Sequence, residues 1–372
     1  MKNLIFTLVL LLLITSCEKF EDYKCENNAG YQATALVPRA KADKIAEIIC
    51  NTLNSNELIG IQVSIRDSLN EDWSISMGAI DINQHEALRD HHILRIGSVT
   101  KIFTSTLILK LIEQNKLQLD QEISDFYPEY DNMKQITIKN LLNHTSGIKD
   151  VFTIPSLLIS STNFPGKQWD PNQLAAACMG KKLDFPPGSK HGYSNTNYIL
   201  LGLIAGKATG ENMEELFTRY LFEPLNLENT RLVPNMETPE ELVNGFVHHY
   251  ALSLKEWYTN EPENTAWSSI GFSAGAIISN SNDLSTFTYH LFNGDVISKE
   301  SLELMTDFSG SNGLGLFKIN VNGHTYWGHE GEITGFESIT AYDPVDGKVI
   351  SICCNTTPFN VHDLLNEIDA EL

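Results

Sequence analysis

The sequence predicts an α+β fold: an antiparallel sheet built from both chain ends, flanked by helices, with an all-helical insert between them. Three observations carry this. Apolar and polar residues alternate near the start, at 61–66 and 73–80, and further strand-like runs at 314–321, 324–327, 336–342 and 349–353 fill the end. Asn322-Gly323 and Asp346-Gly347 separate the late runs as turns do. Apolar residues at helical spacing dominate the middle.

Length and composition set the frame. A chain of 372 residues, 42% hydrophobic and 20% charged, buries a large core in one or two domains. The formal charge of -21 argues against a broad basic surface, so nucleic acid is not an expected partner. The six cysteines, Cys17, Cys25, Cys50, Cys178, Cys353 and Cys354, form no Cys-x-x-Cys and no His-rich cluster, so no metal site is expected. Cys353 and Cys354 lie in an apolar run and read as buried thiols.

In chain order, Met-Lys-Asn and the apolar run 4–14 give a positive start and a core too short to span a bilayer, as in an export signal. The run ends in Ile14-Thr15-Ser16-Cys17, which resembles the lipobox of bacterial lipoproteins. That resemblance implies a signal peptide over 1–17, lipid on Cys17, and an exported protein anchored at a membrane, periplasmic or on the cell surface. Residues 18–40 are polar and aperiodic, as in a tether. Ile45, Ile48, Ile49 and Leu53 then mark a helix over 41–54.

The stretch around which the rest is arranged is Arg95-Ile-Gly-Ser-Val-Thr-Lys101. Ile102, Phe103, Leu107, Ile108, Leu111 and Ile112 follow at helical spacing, so Ser98 opens a buried helix reaching about residue 115. Ser98 and Lys101 then share one helix face, where a lysine in apolar surroundings loses its charge and accepts the serine proton. Ser-x-x-Lys is short and recurs at Ser16 and Ser146, so the helix behind Ser98 is what distinguishes this copy.

A short helix over 136–142 leads into Asn143-His144-Thr145-Ser146-Gly147, where His144 reads as hydrogen-bonded scaffold. Pro186-Pro187-Gly188 marks a turn before Tyr193-Ser194-Asn195 and a helix over 199–208. Tyr193 is a candidate general base, its phenolate favoured by a nearby ammonium, and Asn195 a candidate donor to a substrate carbonyl. The alternatives are a packed tyrosine and an Asn195 helix cap. Residues 210–263 mix helix and loop without identifiable chemistry. The small, apolar run 271–279 returns to the core, Asn282 caps a helix over 283–292, and Leu364, Leu365 and Ile368 mark a closing helix.

Taken in order, the motifs at 95–101, 143–147 and 186–198 and Gly328-His329-Glu330-Gly331 resemble those of serine hydrolases related to class C β-lactamases and D-alanyl-D-alanine carboxypeptidases. The likeness spans about 41–372. It implies that family's penicillin-binding-protein-like fold, with an α/β part at about 41–95 and 265–372 and a helical part at about 96–264. Residue by residue, it makes Ser98 the nucleophile, Lys101 its activating partner, Tyr193 the general base and Asn195 a substrate-positioning amide. His329 takes the third motif's place beside the nucleophile, followed by Gly331, and the N–H groups of Ser98 and Glu332 form an oxyanion hole. The implied reaction is attack, acyl-enzyme and hydrolysis by water without a cofactor, on a small peptide, amide or ester, peptidoglycan-derived in the carboxypeptidase case. The expected activity is that of a D-alanyl-D-alanine carboxypeptidase or β-lactamase-like peptidase, or of a D-amino-acid amidase. An esterase or transacylase, and a non-catalytic sensor of peptidoglycan fragments, are the alternatives.

One position departs from the pattern. The middle residue of the third motif is usually small or hydroxylated in that family and helps hold a substrate carboxylate. Here it is Glu330, and Glu332 points to the same side of a regular strand. Two carboxylates repel a carboxylate-bearing ligand, and no arginine follows Arg231 to clamp one, although Lys255, Lys299, Lys318 and Lys348 remain. The expectation is poor binding of a C-terminal D-Ala carboxylate, and preference for a neutral ester, an amide or an amine-bearing substrate such as an N-terminal D-amino acid. The alternative is that Glu330 turns to solvent.

Overall fold

In the computed structural model, which describes residues 34–81, 86–233, 239–249, 253–257 and 265–372, helix α1 (Arg39–Ser55) comes first. The expected signal peptide, Cys17, Cys25 and most of the expected tether lie outside the described residues. Ala42, Ile45, Ala46, Ile49 and Leu53 form the buried stripe of α1, with the i, i+4 recurrence that a helix lying on a sheet requires.

Strands β1 (Gly60–Arg66) and β2 (Asp72–Gly78) follow, then helices α2 (Thr100–Glu113), α3 (Asn195–Thr209), α4 (Thr265–Gly275) and α5 (Ser281–Phe292). The end supplies β3 (Phe317–Val321), β4 (His324–Ile333), β5 (Phe336–Tyr342), β6 (Val349–Cys354) and helix α6 (Val361–Asp369). Six strands form one antiparallel sheet in the order β2-β1-β6-β5-β4-β3, joining the two chain ends as expected. Asn322 and Gly323 both take positive φ, 50° and 88°, which a two-residue hairpin between β3 and β4 demands.

The sheet has two covered faces. On one, Ile61, Val63 and Ile65 of β1 pack with Ile45 and Ile49 of α1 and Leu364 and Ile368 of α6. The opposite face was legible only as polar, yet it is also buried. Ser64 lies 2.9 Å from Ser285 of α5, and Thr340 lies 2.8 Å from both Thr288 and Ser351, so small hydroxyls pair under the helix. Alternation therefore separates an aliphatic layer from a hydroxyl layer here, not core from water.

Several expectations shift in detail. Ser98 sits in a single 3-10 turn, Gly97–Val99, and α2 proper begins at Thr100. Asn280, not Asn282, caps α5: its Oδ1 accepts the Asp283 N–H at 2.8 Å, while Asn282 Oδ1 accepts the Ser64 hydroxyl at 3.3 Å. The helical part is not all-helical. Arg231–Leu232 and Leu94–Arg95 flank Ile277–Ser279, and the pair Gly245–His249 and Ser253–Trp257 joins Thr356–Thr357 in a three-stranded ribbon. That ribbon takes its third strand from more than 100 residues away, a pairing no local pattern reveals.

Candidate active site

The turn carrying Ser98 is seated on the face of β4, and two glycines make the seat. Gly97 has a φ of +46°, and a Cβ there would lie 2.8 Å from the Glu332 carbonyl oxygen. A Cβ on Gly331 would come within 2.0 Å of the Ile96 carbonyl oxygen and 2.9 Å of the Ser98 nitrogen. Backbone meets backbone because neither residue has a side chain.

One turn into α2, Lys101 is wholly buried. Its Nζ lies 2.8 Å from Ser98 Oγ, 2.8 Å from Asn195 Oδ1 and 2.7 Å from the Ala274 carbonyl oxygen. An ammonium has three N–H bonds and finds three oxygens here. A neutral amine keeps two of those bonds, to the amide and the carbonyl, and turns its lone pair on the serine hydroxyl. Burial pulls the lysine down to about 7, with Asp150 opposing part of that shift, so both forms are accessible at neutral pH.

The tyrosine differs from its sequence-based expectation. Tyr193 Oη donates to Ser98 Oγ at 2.9 Å, and the Lys101 ammonium nitrogen is 5.0 Å from the ring centroid. Desolvation, against the hydrogen bond to Ser98 and with Asp150 and Glu330 adding to it, raises the phenol above its ordinary range, so the resting side chain is a proton donor, not a phenolate. Asn195 does not cap a helix: Ser194 holds the cap position, and the Asn195 amide bridges Lys101 to Asp150, donating from Nδ2 at 3.2 and 3.3 Å. His144 lies beneath these residues. Its Nδ1 accepts the Ser194 N–H at 3.2 Å, its ring centroid is 4.4 Å from that of Tyr193, and burial keeps it neutral.

Sequence reasoning missed Asp150. It follows the Asn-His-Thr-Ser-Gly stretch, caps the turn Val151–Thr153 and accepts the backbone N–H of Asn195 at 3.2 Å. Burial raises its carboxyl while these donors and Lys101 hold it down. Its one local signal, an acid two residues before a backbone donor, looks like an ordinary cap.

A cavity of about 580 Å³ opens between Ser98 and Tyr193 on one side and β4, Glu337 and the start of α6 on the other. His329 lines it and is 2% exposed. Its Nδ1 is hydrogen-bonded to the Glu330 carbonyl oxygen, and burial, reinforced by Lys101, holds the ring neutral with a pKa of about 3. Glu330 and Glu332 share one strand face, as expected, and both are exposed. The Glu330 carboxylate pairs with His362 Nε2, which lowers the acid and raises the histidine. Glu332 stands directly opposite Glu337 on β5. Among the described residues no group of His, Cys, Asp and Glu could hold a metal ion.

Comparison with known proteins follows the same lines. Penicillin-binding protein 4 of Amycolatopsis lactamdurans is 27% identical over 329 residues, 80% of this chain and 82% of that protein. A putative D-alanyl-D-alanine carboxypeptidase of Escherichia coli K12 is 24% identical over 70% of this chain and 68% of its own. Protein flp of Staphylococcus aureus is 32% identical over 177 residues, 46% of this chain and only 34% of that longer protein. Among solved structures, a D-stereospecific amidohydrolase from Streptomyces superposes with a TM-score of 0.75 at 27% identity, covering 90% of this chain and 98% of that one. A D-amino acid amidase from Ochrobactrum anthropi, complexed with D-phenylalanine, shares the fold with a TM-score of 0.79 at 23% identity, covering 89% and 98%. The Beta-lactamase family model matches residues 45–371, nearly the whole described fold, and the chain therefore belongs to the Beta-lactamase family as an enzyme of its serine-hydrolase type.

Proposed function

We propose that the chain cleaves small amides, peptides or esters by acyl transfer through Ser98. Neutral Lys101 accepts the Ser98 proton as Oγ attacks the substrate carbonyl. The N–H groups of Ser98 and Glu332 take up the oxyanion; both border the Gly97 and Gly331 seat, 2.9 Å from the points where the missing Cβ atoms would stand. When the tetrahedral adduct collapses, the leaving nitrogen or oxygen takes its proton from the Lys101 ammonium through the Tyr193 hydroxyl, which is already aimed at Oγ. Water repeats the sequence on the acyl-enzyme and frees Ser98. Asn195, anchored by Asp150, keeps Lys101 facing the serine.

The observation that carries this reading is Lys101: a wholly buried amine 2.8 Å from a serine oxygen, with its pKa near neutrality. Peptidase and amidase activities both fit, since D-alanyl-D-alanine carboxypeptidase and D-amino acid amidase both occur among the relatives' names. Labelling with a fluorophosphonate or a fluorescent penicillin tests it. Wild type should carry the adduct on the Ser98 peptide by mass spectrometry and Ser98→Ala should carry none; unlabelled wild type, or a labelled variant, rejects the assignment.

The same proposal extends to export and lipid attachment at Cys17, supported by the apolar run and lipobox-like tetrapeptide. Metabolic labelling with a fatty-acid analogue should mark wild type and not Cys17→Ala.

A further inference from the structure

The cavity at Ser98 does not stop at the face of β4 that carries the nucleophile. Odd-numbered residues of that strand face the serine: a Cβ on Gly331 would lie 2.9 Å from the Ser98 nitrogen, and His329 is on the same side. Even-numbered residues face α6, since Tyr326 belongs to the aliphatic layer that Leu364 and Ile368 complete. Yet Glu330 and His362 border the same cavity as Ser98. Strand β3 pairs with β4 no further than Gly328, and beyond that point the cavity passes around the strand to end against the first turn of α6.

A second cavity, of about 220 Å³, lies on the far side of that turn between α1 and α6, with Asn51, Ser55 and Glu367 on its walls. Phe359 and Asn360 border both cavities. They are the partition between the nucleophile's cavity and the outer one.

Two carboxylates tie that partition to the sheet. Glu337 of β5 accepts the backbone N–H of Phe359, and Glu330 of β4 pairs with His362 Nε2. Asn360 fixes the turn between the two ties, its Oδ1 accepting the His362 N–H at 3.2 Å. The other end of the helix is held separately, where Asp369 accepts from Tyr326 Oη at 2.5 Å and from Lys348 Nζ at 2.9 Å. Cutting one tie therefore loosens residues 359–362 while the body of α6 stays packed. Side-chain ties from two neighbouring strands fix where the wall of a binding cavity stands.

Resting on the serine-hydrolase reading, we propose that residues 359–362, tied by Glu330 and Glu337, are an end stop that limits the length of the substrate lying past β4. The class selected is a compact amide or peptide whose group on the α6 side ends inside the cavity. A longer group must displace Phe359 or part Glu330 from His362. These residues act on substrate length and not on the proton transfers at Ser98.

N-Acetyl-D-alanine methylamide, lengthened at one end at a time, reads the stop. N-octanoyl-D-alanine methylamide extends the acyl side, and N-acetyl-D-alanine octylamide the leaving side. For at least one of the long compounds wild type should show kcat/KM about ten-fold or more below that of the parent, as surplus methylenes in a closed pocket cost at least that much. His362→Ala should raise that long-to-short ratio about ten-fold while turning over the parent as before. Phe359→Ala, which opens the partition itself, should raise it at least as far. A loss of folded protein lowers both substrates together and leaves the ratio where it was. A wild-type ratio of one or more for both long compounds, or a depressed ratio that neither variant lifts, overturns the stop. His362 is partly exposed, so its variant keeps the test alive if Phe359→Ala fails to fold. Calorimetry on Ser98→Ala separates this proposal from the catalytic one. Weaker binding of a long compound than of the parent, relieved by adding His362→Ala, supports the stop even if wild type escapes the fluorophosphonate; equal binding of all three compounds to Ser98→Ala rejects it.

Discussion

The two sides of β4 are built on different principles. On the nucleophile side Lys101 Nζ meets three oxygens, Ser98 Oγ meets Lys101 and Tyr193, and Asn195 is held between Lys101 and Asp150. On the other side Glu332 opposes Glu337, and Glu330 pairs with His362. On the proposed mechanism, the first arrangement is set in advance for charge that develops during reaction. The second sets two acids opposite each other across neighbouring strands, a placement where like charges are destabilising.

Breaking the first side should have the largest effect. Lys101→Ala should lower kcat/KM by about 10³-fold, within the range for losing a positioned proton acceptor. Lys101→Arg should be no better, because a guanidinium keeps its charge. On the proposed mechanism the working form is the neutral amine, so kcat/KM should climb with pH and level off above about 7. A profile flat across neutrality would remove Lys101 as the acceptor.

Gly331 tests whether the seat between turn and strand matters as much as the groups on it. Adding a methyl places a carbon where the Ile96 oxygen is 2.0 Å away, so the turn must lift off β4. Gly331→Ala should cost ~1–3 kcal/mol in chemical denaturation. It should also slow fluorophosphonate labelling of Ser98 by about 10²-fold, since small displacements of reacting groups cost that much. Wild-type labelling by a destabilised Gly331→Ala would show that the seat serves folding alone.

How much of this was legible follows the range of each signal. Ser98, Lys101 and the strands at both ends announce themselves within a few residues, through spacing and alternation. The motifs at Tyr193 and His329 gain meaning only in order with the first, which is why the resemblance placed them and periodicity did not. Asp150 and Glu337 carry no motif; each matters through a partner from a distant stretch, Asn195 in one case and Glu332 in the other. The raised phenol of Tyr193 is not legible in sequence, because its first cause is burial by residues from distant stretches.

A smaller effect sharpens the link between the two tiers. Asp150 raises the Lys101 pKa against burial. Asp150→Asn keeps an oxygen for the Asn195 and Phe152 N–H groups but loses the charge, so neutral Lys101 should form at lower pH and the rising limb should move in the acid direction. An unmoved limb with a reduced plateau would make Asp150 a prop for Asn195 and nothing more.

The smallest effect lies on the acid side and is read in stability. Burial, and after it Glu332 and Glu330, raise the folded pKa of the Glu337 carboxyl from 4.5 to about 8. Between those values the folded protein holds a proton that the unfolded chain has lost, so stability falls as pH rises through the window and is steady above it. Glu337→Gln has no such proton. Its melting temperature should exceed that of wild type by a margin that grows from about 4.5 to about 8 and then stops growing. A margin independent of pH would mean that the folded protein does not hold the Glu337 carboxyl at a raised pKa.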